Sequence, residues 1–226
     1  MNLADNSEIV GFYAKHILPR VIDLAMKNPA ATRLRAEWIP KATGDVLEVG
    51  IGSGLNLPFY TDRVRRVYGL DPSPQLRQIA RKRAAELPLE VEFMGQPVEN
   101  SIPLPNESID TVVLTWTLCS VRDPRRALDE TRRVLKANGR LIFIEHGSAP
   151  DAQVKRWQNH LTPIWKRVAG GCHLNRQVKN TLREGGYSIV DCEEGYLRGP
   201  RLIMFTCRGV AQLQDVVDAC APSKPE

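Results

Sequence analysis

Short apolar runs alternate with stretches of helical period along most of the chain. Strands are predicted at 45–50, 64–70, 89–94, 109–115 and 141–145, with two more at 187–192 and 202–207. The run at 109–115 is almost wholly apolar, which suits a strand buried on both faces. Helical period first shows after Ser7, an N-cap for a helix starting at Glu8, with Ile9, Phe12, Tyr13, Ile17, Val21, Ile22, Leu24 and Ala25 on its apolar side. Pro19 should kink or split that helix. A second helix is predicted over about 30–38, ending before Pro40. Ser73-Pro74 and Asp123-Pro124 each read as N-cap plus first helical residue, opening helices to about 86 and to 136. Asn138-Gly139 reads as a left-handed stop. Helices follow at about 152–168, interrupted by Pro163, and at 175–184, stopped by Gly185-Gly186. After Gly209 the pattern weakens into a short helix or tail.

Strand–helix alternation predicts an α/β fold: a doubly wound, seven-stranded, mostly parallel sheet with helices on both faces. No helix separates the last two strands, so they should form an antiparallel hairpin at one edge. Such sheets bind ligands beyond the carboxyl ends of their strands, and function is to be sought there.

Composition narrows the classes. The 226 residues are 42% hydrophobic and 25% charged, with formal charge +5, as expected of a globular domain. Basic clusters at Arg63, Arg65, Arg66 and at Arg77, Arg81, Lys82, Arg83 lack interleaved aromatics. They read as solvated faces, so no nucleic-acid partner is expected. Five widely spaced cysteines without a CxxC pair argue against a disulfide framework and a structural zinc site, and point to a reducing cytoplasm. No signal peptide and no apolar run of transmembrane length is visible, although peripheral membrane contact stays open.

Glu48-Val49-Gly50-Ile51-Gly52-Ser53-Gly54 closes the first strand. Its GxGxG spacing fails the GxGxxG pattern of a dinucleotide site in both registers, since Leu55 and Leu57 stand where the third glycine is needed. It resembles motif I of the class I S-adenosylmethionine-dependent methyltransferases. Asp71-Pro72 ends the second strand 21 positions after Gly50, where an acidic residue holds a ribose diol. Gln96, Val98 and Glu99 stand at the loop that receives adenine in that family. Pro103-Leu104-Pro105-Asn106-Glu107-Ser108-Ile109-Asp110 and Val134-Leu135-Lys136-Ala137-Asn138-Gly139-Arg140-Leu141 resemble signatures of the ubiquinone/menaquinone-type members. The resemblance covers about 44–146. It implies a Rossmann-like fold and S-adenosylmethionine as cofactor, held by Glu48, Gly50, Gly52, Gly54, Asp71, Pro72, Gln96, Val98, Glu99, Thr115 and Trp116. It also implies a division into an N-terminal helical cap (1–43), the catalytic domain (44–209) and a tail (210–226).

For the acceptor side, Thr115-Trp116-Thr117-Leu118-Cys119-Ser120-Val121 follows the fourth strand. Trp116 is either a wall that favours a cation through its π face or plain core. Cys119 reads as a small buried residue, because methyl displacement needs no covalent enzyme intermediate. Glu145-His146 ends the fifth strand, and both are expected at the acceptor pocket. His146 is the candidate general base, with a hydrogen-bonded structural histidine as the other reading. Trp157 and Trp165 lie on the helix where this fold carries its lid; Tyr13 and His16 share one face of the N-terminal helix. His173 and Arg176 lie in Gly170-Gly171-Cys172-His173-Leu174-Asn175-Arg176, ahead of a helix, where Arg176 either holds an anion or braces. No metal site is expected, since Cys172, His173 and His146 lack a fourth ligand at recognisable spacing. The segments TLCSV, EH, the tryptophan-bearing helix and GGCHL also resemble the membrane-associated thiol S-methyltransferases of the methyltransferase-like group, without their apolar N-terminal anchor. The expectation is a methyltransferase acting on a small, largely apolar acceptor, possibly a thiol. Phenol or quinol acceptors, phospholipid amines and a non-catalytic cofactor-binding role stay open.

Overall fold

A computed structural model describes residues 18–214. It holds one seven-stranded sheet in the order β3-β2-β1-β4-β5-β7-β6. The strands are β1 (Gly44–Val49), β2 (Val64–Leu70), β3 (Glu90–Met94), β4 (Ile109–Thr115), β5 (Leu135–His146), β6 (Tyr187–Tyr196) and β7 (Phe205–Leu213). The first five run parallel, and β7 lies antiparallel between β5 and β6. The chain winds outward from β1 in one direction and from β4 in the other. The switch point between them opens a crevice at the carboxyl ends of both strands.

Helices cover both faces: α1 (Leu18–Met26), α2 (Pro29–Trp38), α3 (Pro74–Ala84), α4 (Pro124–Val134), α5 (Ala152–Val168), α6 (Val178–Glu184) and the one-turn α7 (Arg201–Met204). Local chemistry sets their starts. Asn28, Ser73 and Asp123 each accept from a backbone N–H three residues on, and each is followed by a proline that lacks only an orphan donor. Strand alternation then divides the core. Leu47, Val112, Leu141 and Phe143 pack with α4 and α6 residues on one face, whereas Val46, Val113, Ile142 and Ile144 pack with Leu34 and Trp38 of α2 on the other.

Several boundaries differ from the sequence reading. β5 starts at Leu135 and absorbs Asn138-Gly139, and neither residue has the positive φ of a helix stop. Pairing of Ile109 with Leu135 explains this, because the ladder to β4 captures the chain as α4 ends. Pro163 does not break α5, which runs 17 residues through it and forgoes one backbone donor there. The helix expected from 175 starts at Val178. β7 occupies Phe205–Leu213 rather than 202–207, extending past the expected boundary at Gly209, while α7 takes the residues before it. Pro19 lies in α1, which is described from Leu18 onward, so the stretch that its expected kink would divide falls mostly outside the described residues. Ser7, Tyr13, His16 and the expected helix around them lie outside the described residues, as does 215–226.

Candidate active site

A cavity of about 1000 Å³ opens at the switch point. Its walls are residues 48–53 after β1, Asp71-Pro72 after β2, 96–100 after β3, 115–117 and 119–123 after β4, and His146 at the end of β5. Residues of α1 and the end of α5, including Ile22, Trp165 and Val168, close the far side, with Gly170 and Cys172 beyond them.

The glycine turn is open at one position and tightly packed at the others. Gly50, Gly52 and Gly54 all have positive φ, between 54° and 79°. A Cβ at Gly50 would collide with the Thr117 side chain. One at Gly52 would meet nothing closer than the Gly50 carbonyl at 3.8 Å, so the space beside it belongs to the cavity. Gly54, expected to touch the cofactor, instead lets the turn close on Leu57 and Ala80 and does not line the cavity.

Two carboxylates brace this turn. Asp71 accepts from the Gly52 N–H at 3.0 Å and the Ser73 N–H at 2.8 Å, and its burial raises its pKa against those bonds. Glu48 accepts from Asn56 Nδ2 and from the Tyr60 hydroxyl, each at 2.8 Å. Full burial still pushes its carboxyl up to about 7. Arg35 of α2 faces the same group: Nε donates to Asn56 Oδ1 at 3.1 Å, and the guanidinium stands 4.8 Å from the Trp116 ring centroid. Burial lowers Arg35 to about 10. Trp116 is itself in the left-handed region at φ 49°, held there by its N–H to Ile144 O at 2.7 Å. A bulky residue in that conformation is strained, and such strain gathers at functional sites. Sequence reading missed Arg35, Asn56 and Tyr60; their roles rest on contacts between segments 8 to 21 residues apart.

At the β5 end, neighbouring residues part company. His146 lines the cavity, with Nδ1 3.6 Å from Cys172 Sγ and its ring 6.4 Å from Trp116. Glu145, placed in the pocket by the sequence reading, points elsewhere: fully buried, it accepts from the Thr117, Leu118 and Cys119 N–H groups at 2.8–3.1 Å. Desolvation raises its pKa. It shapes the loop that carries Trp116 and Cys119. His173 and Arg176 also stay off the cavity wall. The His173 ring binds the Cys119 carbonyl, and Arg176 Nη1 donates to the Leu118 carbonyl, so Arg176 braces. Trp157 is 57% exposed on the outer side of α5 against His160, while Trp165, two turns on, lines the cavity. Gln96, Val98 and Glu99 all border it. Val98 is core, Gln96 donates to the Ser101 carbonyl, and Glu99 accepts from the Arg122 N–H. Thr115 Oγ1 accepts from Asn56 Nδ2.

Residues 47–143 match the family described as a methyltransferase domain. A thiol S-methyltransferase of Rattus norvegicus is 40% identical over 151 residues, 66% of this chain and 62% of the rat protein. The matched segment is a methyltransferase domain of the class I S-adenosylmethionine-dependent family. A phosphatidylethanolamine N-methyltransferase of Cereibacter sphaeroides is 38% identical over 115 residues, 50% of this chain and 56% of that one. The crystal structure of the YcgJ protein from Bacillus subtilis superposes with TM-score 0.63 at 17% identity, covering 81% of this chain and 97% of that one, and shares the fold. The chain spans less than two thirds of the length of the curated relatives it matches.

S-adenosylmethionine, the cofactor of this methyltransferase family, fits the residues present. The open face of Gly52 leaves room against the backbone, and the carboxyl groups of Glu48 and Asp71 on the cavity wall offer acceptors to a ligand bearing ammonium and hydroxyl donors. Among the described residues no helix is long and apolar enough to cross a membrane.

Proposed function

We propose that the protein transfers a methyl group from S-adenosylmethionine to a small, largely apolar thiol. The observation that carries this reading is His146, an imidazole beside Trp116 that shares with Trp165, Ile22 and Val168 the lining of the cavity that the glycine turn opens into. The rat relative named a thiol S-methyltransferase supports it. Bound cofactor supplies an electrophilic methyl on sulfur. Asp71 is the proposed holder of a ribose diol and the 96–99 loop the proposed seat of adenine, which leaves the His146 end for the acceptor. There the imidazole takes the proton an acceptor thiol must give up, and the apolar walls exclude water. Trp116 and the backbone near Thr115 align the reacting groups, which is most of what an in-line displacement asks of a protein. A reducing, cytoplasmic setting suits the free thiols of Cys119, Cys172, Cys192 and Cys207.

The phosphatidylethanolamine methyltransferase relative favours a second reading, an amine acceptor. Both are tested by S-adenosylhomocysteine release from purified protein offered an alkyl thiol, a phenol or a phospholipid amine. Release with the thiol alone is expected. Release with the amine alone establishes the second reading, and cofactor binding without release in any arm leaves a binding protein.

A further inference from the structure

The fold gathers three metal-ligating side chains from three separate segments at the inner end of the cavity. Cys119 comes from the loop after β4, His146 from the end of β5, and Cys172 from the loop after α5; one ligand atom of each lies within 4.8 Å of the other two. From these we infer a site for a soft divalent cation of the zinc class, closed by protein on three sides and open to the cavity on the fourth.

Geometry favours this over a chance contact. Zinc binds sulfur at about 2.3 Å and imidazole nitrogen at about 2.05 Å, so a tetrahedral site sets sulfur and nitrogen about 3.6 Å apart and two sulfurs about 3.8 Å apart. Nδ1 of His146 and Sγ of Cys172 stand 3.6 Å apart already. Closing the remaining edges takes rotamer adjustment of about 1 Å at most, without moving the strands. Both thiols are buried, at 1% and 6% exposure, where an imidazole and two soft sulfurs select zinc over the hard cations. The surroundings supply what a thiolate site needs. The indole N–H of Trp165 is buried without a hydrogen-bond partner and borders Cys172, and the Arg176 guanidinium lies near both sulfurs. His146 and both cysteines line the cavity, so the fourth position faces it, as in sites that exchange a ligand. The other thiol pair, Cys192 and Cys207 at 3.5 Å, has no histidine beside it among the described residues. A bound cation would claim the imidazole lone pair, so the base role proposed above belongs to the cation-free protein, and the site inferred here is a second state of the same three side chains.

The test reads the cation and not methyl transfer, which keeps it separate from the acceptor reading. Metal-free, reduced full-length protein is titrated with cobalt(II) alone while visible and near-ultraviolet absorption are followed, and zinc is then added as competitor. One equivalent of tetrahedral cobalt with a thiolate charge-transfer band, displaced by zinc, is expected. The band should vanish in Cys119→Ser and in Cys172→Ser. In His146→Ala affinity should fall by more than the roughly 10-fold that follows loss of an outer partner. Cys192→Ser should keep the band. Circular dichroism identifies any variant that fails to fold, and the His146→Ala result decides if both serine variants do. Absence of a thiolate band in the wild-type protein overturns the inference, as does a band that survives in Cys119→Ser and Cys172→Ser or disappears in Cys192→Ser.

Discussion

Two residues carry most of the functional argument, and each makes a separable claim. Asp71 fixes the glycine turn through Gly52 and Ser73 and still faces the cavity. Asp71→Ala should weaken S-adenosylhomocysteine binding about 10-fold or more, the usual worth of charge-assisted hydrogen bonds. An unchanged affinity by calorimetry would remove it from the cofactor site. His146→Ala should lower turnover with the true acceptor far more than it lowers cofactor affinity; full activity in that variant would end its role as base. Both residues were legible in the sequence because each stands at the carboxyl end of a strand, where the fold rule directs attention. Arg35, Asn56 and Tyr60 were not, because nothing local distinguishes a helix arginine that reaches 21 residues along the chain to a buried asparagine. Glu145 was misplaced for a related reason: adjacent strand residues face opposite ways, so it and His146 could not both enter one pocket.

Among the elements, the loop between β4 and α4 is the one most dependent on another segment. Its three N–H groups converge on the Glu145 carboxylate at the end of β5. Glu145→Ala strands those donors in the interior and should destabilise the protein by about 3 kcal/mol while disordering the Trp116 wall. Glu145→Gln, which keeps an acceptor, should recover part of that loss; equal denaturation midpoints for wild type and Glu145→Ala would show the loop holds itself. Strand positions and the capped helix starts were readable because caps and apolar runs are local signals, as Ser73 and Asp123 show. Ends were harder. The Asn138-Gly139 pair carries a stop signal, yet pairing with β4 draws it into β5. The β6–β7 ladder likewise carries β7 on to Leu213, beyond the weakening pattern at Gly209.

At the scale of the whole molecule, the cavity is assembled at a cost in stability. Glu48 has its pKa raised by burial from 4.5 to about 7, so the folded state holds that proton more tightly than the unfolded chain. Stability must then fall as pH rises from about 4.5 to 7, by at most about 3 kcal/mol. Glu48→Gln should flatten that decline and melt higher than wild type at neutral pH. Parallel pH–stability curves for the two proteins would contradict the assignment. Burial raises Asp71 and Glu145 in the same direction, so each adds its own share to that decline. The central claim is that one end of this cavity receives S-adenosylmethionine and the other a thiol. Its most direct test is to supply cofactor with a deuterated methyl group, together with a small alkyl thiol, and to follow the label by mass spectrometry. Labelled thioether formed in step with S-adenosylhomocysteine, and lost in His146→Ala, is the expected result. Label on oxygen or nitrogen acceptors only, or no transfer by protein that binds the cofactor, would contradict it.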